Sequence, residues 1–359
     1  MATADKDASA RPIRTAAGLV AAGLVDIDDL AEIDEVARRY AIRITPTVQQ
    51  RIDAPDDPVG RQFVPRADEL TVSVDERADP IGDARFTPVP GITHRYRDRV
   101  LLKPLQICPV YCRFCFRREA VGPDQGVLGE GELTVALDYV RSHPQIWEVI
   151  LTGGDPLLLS PARLHRIVAE LDAIEHVGVV RIHTRVPVVA PARVTDELTA
   201  ALTADTPVWL VLHCNHRQEL GPEAAAALGR LVDAGFPLLA QTVLLKGVND
   251  SATSLEELFR ALVRLRVKPY YLHQADLAPG TAHFRTTIET GLELVRQLRG
   301  PVSGLCQPTY VLDIPDGYGK VPIGGGYLHR DGTDYLVTDP HGVTHRYAPA
   351  TSSTPEPRS

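Results

Sequence analysis

The chain has 359 residues, a formal net charge of −8, 44% hydrophobic and 23% charged residues. With no basic block, it is not a nucleic-acid binder held by phosphate contacts. No apolar run approaches the roughly 20 residues a membrane-spanning helix needs, and the N-terminus does not read as a signal peptide, so a cytoplasmic protein is expected.

The first ninety or so residues read as a helical preface. Segments 14–24 and 27–40 carry apolar residues at helical spacing, the second at Leu30, Ile33, Val36, Ala37 and Tyr40, with Asp26 or Asp28 available as its cap. A Pro- and Asp-rich stretch, Asp53 to Pro65, interrupts regular structure.

From Arg99 short apolar runs alternate with amphipathic segments. Strands are predicted at 99–104, 147–152, 178–183, 207–213, 237–244 and 268–273, almost wholly apolar as if buried on both faces. Helices are predicted near 132–143, 161–172, 195–203, 222–234, 253–265 and 287–299. Six such units imply a parallel sheet with helices outside it, either doubly wound or an incomplete barrel. In both cases the site lies at the C-terminal strand ends. The tail, residues 348–359, has a disordered composition.

Three of the five cysteines fall within eight residues, as Cys108-Pro-Val-Tyr-Cys112-Arg-Phe-Cys115. An odd, clustered set points to metal chemistry and away from disulfides. Three thiolates can hold three irons of a four-iron cluster and leave the fourth open to a small molecule. Structural zinc wants a fourth ligand, for which His94 could serve in principle. This Cys-x-x-x-Cys-x-aromatic-Cys pattern, with Phe114 at the aromatic position, resembles the radical S-adenosylmethionine (SAM) signature. The resemblance implies an α/β fold, a partial (β/α)6 barrel, and a [4Fe-4S] cluster whose open iron binds SAM. Gly153-Gly154-Asp155, an ordinary turn by itself, resembles the segment that contacts the SAM amino group.

Further motifs resemble the lysine 2,3-aminomutase family over residues 80–330. Lys320, in Asp313-Ile-Pro-Asp-Gly-Tyr-Gly-Lys320, resembles the Gly-rich loop whose lysine binds pyridoxal 5′-phosphate (PLP), with Asp316 and Tyr318 replacing two glycines. The resemblance implies that Arg95, Tyr96 and Arg99 hold the PLP phosphate, that His213 and Gln241 face the cofactors, and that Arg117 binds the substrate α-carboxylate. It also implies that Asp276 and Asp313 grip the ε-ammonium of lysine. Family members acting on glutamate carry basic or neutral groups there. The less specific stretch Asp79-Pro80-Ile81-Gly82-Asp83 belongs to the same resemblance.

The implied layout is an N-terminal helical extension (1–90), a barrel with its PLP loop (91–330) and a C-terminal segment (331–359) without zinc. The implied reaction moves the α-amino group of L-lysine to C3, giving β-lysine, in a homo-oligomer reduced by a donor such as flavodoxin or ferredoxin. Alternatives are a β-lysine-forming enzyme for elongation factor P, an aminomutase for arginine or another cationic amino acid, and a non-enzymatic iron–sulfur redox protein.

Overall fold

The computed structural model describes residues 11–332 and 334–347. The tail expected to be disordered lies outside them. Among the described residues, no helix is long and apolar enough to cross a membrane.

The central sheet has nine strands in chain order: β1 (Ile92–Tyr96), β2 (Arg99–Leu105), β3 (Glu148–Gly153), β4 (Val179–Thr184), β5 (Val208–His213), β6 (Leu238–Val243), β7 (Lys268–His273), β8 (Thr309–Ile314) and β9 (Gly319–Pro322). Strands β2 to β8 run parallel, and β1 and β9 are antiparallel edges. The result is a partial barrel. The six predicted strands lie within a residue or two of β2 to β7. β1, β8 and β9 were not predicted.

The outer helices follow their sequence signals. Helix Pro161–Asp172 starts at Ser160, whose side chain accepts from the Arg163 N–H, and Pro161 fits its first turn. Its Leu164, Ile167, Val168 and Leu171 are buried at the i, i+3, i+4, i+7 spacing of a core-facing stripe. In the N-terminal part, Asp26 caps a 3-10 turn at Ile27–Asp29, and the α-helix proper is Leu30–Arg39, with Ile33 and Val36 buried.

The inner face of the sheet departs from the apolar expectation. Alternate residues point inward, as a pleated strand requires. On β4 these are Arg181 and His183, on β7 Tyr271 and His273, and on β8 Val311 and Asp313. They line a cavity of about 760 Å³. The strands are therefore apolar toward the helices and largely polar toward the cavity.

A separate three-stranded antiparallel sheet, β10 (Leu328–Asp331), β11 (Asp334–Thr338) and β12 (Thr344–Tyr347), occupies most of the described C-terminal segment.

Candidate active site

All fifteen residues singled out from the sequence, from Arg95 to Lys320, line this one cavity. Their neighbours determine what each can do.

Cys108, Cys112 and Cys115 follow β2 on one wall, unpaired with one another. Burial pushes all three thiols up, Cys115 to about 11. A cationic metal centre is what would hold such thiols as thiolates. His94 is turned elsewhere: its Nδ1 shares a hydrogen bond of 2.8 Å with the Tyr139 hydroxyl. Among the described residues, no three His, Cys, Asp or Glu gather about a single-ion position. Thiols at separate corners of a cluster stand further apart than ligands of one ion.

The glycines behind the cysteines are required by space. Gly153 has φ +99°, and a Cβ on it would lie 2.5 Å from the Leu105 carbonyl. A Cβ on Gly154 would lie 2.2 Å from the Ile107 carbonyl. Asp155 is buried and its carboxylate is taken up internally. It accepts from the Thr184 hydroxyl and from the backbone of Leu157, Arg185 and Val186.

Arg185, just past β4, was not singled out. Its guanidinium donates to Cys112 Sγ (2.8 Å), Glu219 (2.6 Å) and Gln62 (2.6 Å). Phe114 packs edge-on against His213, whose Nε2 is buried without a partner. Gln241 is paired with His213 in the β5–β6 register.

Arg95 and Tyr96 are on β1, and Arg99 opens β2 across a tight hairpin, its guanidinium 3.9 Å from the Tyr96 ring centroid. Asp83 organises two arginines. Its Oδ1 accepts from Arg95 (2.9 Å) and its Oδ2 from Arg117 (3.0 Å). Burial would raise the Asp83 carboxyl, yet Arg117, followed by Lys103, holds it below its ordinary value. Arg117 also reaches Thr152 at 3.4 Å.

Lys320 was expected on a bare loop. It lies instead on β9, paired in register with Asp313 on β8. The connecting turn is held from outside: Asp316, at φ 61°, forms an ion pair with Arg77, and its carbonyl accepts from Arg85 at 2.6 Å. Asp tolerates that left-handed conformation better than most side chains.

The Lys320 ammonium donates to Asp313 Oδ2, and His273 Nδ1 is 3.1 Å away. His273 Nδ1 is 3.5 Å from the same Asp313 oxygen, and the Tyr271 ring centroid is 5.6 Å from the ammonium. Against the effect of burial, His273 and Lys320 hold the Asp313 carboxyl well below the usual range. Asp276 is the opposite case. Burial and then the Asp313 charge push it up to about 7.

The sequence assigned no role to Arg185 or His273, and Asp83 stood out only within the less specific stretch from Asp79 to Asp83. An inward position at a strand end is the signal that would have found His273. Arg185 carries no periodic or motif signal.

The chain is also similar to known proteins. Residues 102–262 match the model of the radical SAM superfamily. The chain is 42% identical to the L-lysine 2,3-aminomutase of Clostridium subterminale over 326 residues, covering 90% of this chain and 78% of that one. It is 42% identical to the L-lysine 2,3-aminomutase of Fusobacterium nucleatum, covering 84% and 74%. It is 36% identical to the glutamate 2,3-aminomutase of Clostridioides difficile, covering 88% and 77%.

Proposed function

Since the chain belongs to the lysine 2,3-aminomutase family of radical SAM isomerases, using SAM and an iron–sulfur cluster, we propose that it is a PLP-dependent 2,3-aminomutase acting on L-lysine. One observation carries the choice of substrate: Asp276 and Asp313 line the same cavity as Arg117 and Lys320. Two carboxylates in one buried pocket repel, and a cation between them offsets that cost. A carboxylate side chain, as in glutamate, would add a third negative charge.

Cys108, Cys112 and Cys115 would hold the cluster, and the bare backbone of Gly153 and Gly154 allows SAM to approach it closely. Arg95, Tyr96 and Arg99 would hold the PLP phosphate, for which an arginine fork is suited. Lys320 supplies the only amine among the side chains lining the cavity. Bound SAM supplies a carbon radical on reduction, and bound PLP supplies a carbonyl and an electron sink.

The protein's own part is placement and charge. Arg117, steadied by Asp83 and Thr152, faces the α-carboxylate. Asp313 and Asp276 take the terminal ammonium at the other end. Asp155, occupied by Leu157 and by Thr184, Arg185 and Val186 at the end of β4, fixes the turn carrying Gly153 and Gly154.

The test is an anaerobic assay of cluster-reconstituted protein with SAM, PLP, a strong reductant and, separately, L-lysine, L-arginine and L-glutamate. Products are derivatised and read by mass spectrometry. β-Lysine is expected. Turnover of glutamate or arginine with lysine untouched would overturn the assignment of substrate.

A further inference from the structure

An amine attacks a carbonyl only after losing a proton, and in this structure the Lys320 ammonium has two places to send one. Asp313 is the poor choice, because the charges around it keep its carboxylate from taking protons. His273 is better placed. Its Nδ1 lies 3.1 Å from Lys320 Nζ and accepts from it in the tautomer whose ring hydrogen sits on Nε2. Nε2 is buried and has no hydrogen-bond partner.

We propose that His273 is the base that deprotonates Lys320 when that amine engages a carbonyl carbon. The inference rests on the reading of Lys320 as the PLP lysine. In this step an N–H bond of Lys320 breaks and its electron pair, left on Nζ, forms the new bond to carbon, while the carbonyl π pair moves onto the oxygen, which leaves as water after taking up one proton from Nζ and one returned by His273. The proton becomes bonded to His273 Nδ1. The imidazolium then stands 3.5 Å from the Asp313 carboxylate, which stabilises it. Lys320, Asp313 and His273 thereby keep one positive and one negative charge among them throughout.

The groups around His273 suit it to this part. Lys320 on β9 and Asp313 on β8 face its Nδ1, and Tyr271 packs edge-on to it from its own strand. His183 on β4 and His213 on β5 share the cavity, and burial keeps both well below the ordinary histidine range. Asp276 lies three residues beyond, in the loop after β7. Burial lowers His273 too, so the ring stays neutral and able to accept near neutral pH.

The test uses PLP-free, cluster-reconstituted protein mixed with PLP. Capture is followed by its near-visible absorbance from mildly acidic to alkaline pH. Borohydride trapping and peptide mass spectrometry identify the lysine. His273→Phe removes the acceptor. His273→Asn keeps an oxygen in place of Nδ1 but cannot take a proton. The variant that retains wild-type circular dichroism and iron content is read, and Asn alone suffices. Wild type should slow as falling pH protonates His273. Both variants should slow capture at Lys320 on the order of a hundredfold and lose that acidic limb. Wild-type rate and profile in His273→Asn, with PLP still on Lys320, would overturn the base role alone. PLP attached elsewhere in wild type would instead overturn the reading of Lys320, and the proposal with it.

Discussion

The backbone N–H of Lys320 donates to the phenol oxygen of Tyr96 at 2.8 Å. Tyr96 ends β1 and Lys320 lies on β9, the two edges of the nine-stranded sheet. The bond therefore joins the open sides of the barrel at the residue whose amine faces the cavity. It leaves the phenol hydrogen free to donate. The Lys320 strand is pinned a second time by Arg77 and Arg85 on Asp316.

Asp313→Asn should keep cluster and PLP but bind lysine at least tenfold more weakly. Truncating one partner of a buried charge pair costs about 2–5 kcal/mol, and each 1.4 kcal/mol is about a factor of ten. Isothermal titration of the PLP-loaded protein with lysine measures this. Unchanged affinity would remove Asp313 from the ammonium site.

The acidity of Asp276 sets a pH dependence. Its carboxyl titrates at about 7 in the free protein, so it is charged above that pH and neutral below. Attraction for a cationic side chain is therefore gained as pH rises through 7. The kcat/KM for lysine should rise with it, and Asp276→Asn should lack that limb. A profile flat from pH 6 to 8 in wild type would contradict this.

Asp83→Asn should weaken the fold and the site together. It leaves the Arg95 and Arg117 guanidinium groups, both mostly buried, without their shared counter-charge. Removing one side of a buried ion pair costs roughly 3–5 kcal/mol. A lowered melting temperature and reduced PLP affinity are expected. A variant as stable as wild type would show that the arginines find other partners.

Gly154→Ala should lose iron. The added Cβ would fall 2.2 Å from the Ile107 carbonyl, next to Cys108, and backbone cannot yield there without moving the cysteine loop. Iron content and visible absorbance after reconstitution measure the loss. The same change at Gly229, where a Cβ meets nothing within 4 Å, is the control.

Much of the barrel was legible because its signals are local. Ser160, Pro161 and the Leu164–Leu171 stripe write one helix in a dozen residues. β8 and β9 were missed for an equally local reason. Pro315, Gly317 and Gly319 read as a loop, while strand pairing across that turn depends on β7 being already in place beside β8. Alternation on the inner face was also hidden, since polar inward residues such as Arg181 and His183 only make sense around a cavity.

By itself the sequence determined the three-cysteine spacing, the Gly-Gly turn and the succession of strand and helix, because each is set by neighbours along the chain. Only the tertiary structure decided that Asp83 would brace Arg95 and Arg117, that Arg185 would reach Cys112, and that Lys320 would meet both Asp313 and His273. Those contacts span up to 73 positions. They exist because closing a parallel sheet brings distant strand ends to one mouth, where buried charges must find partners or remain costly.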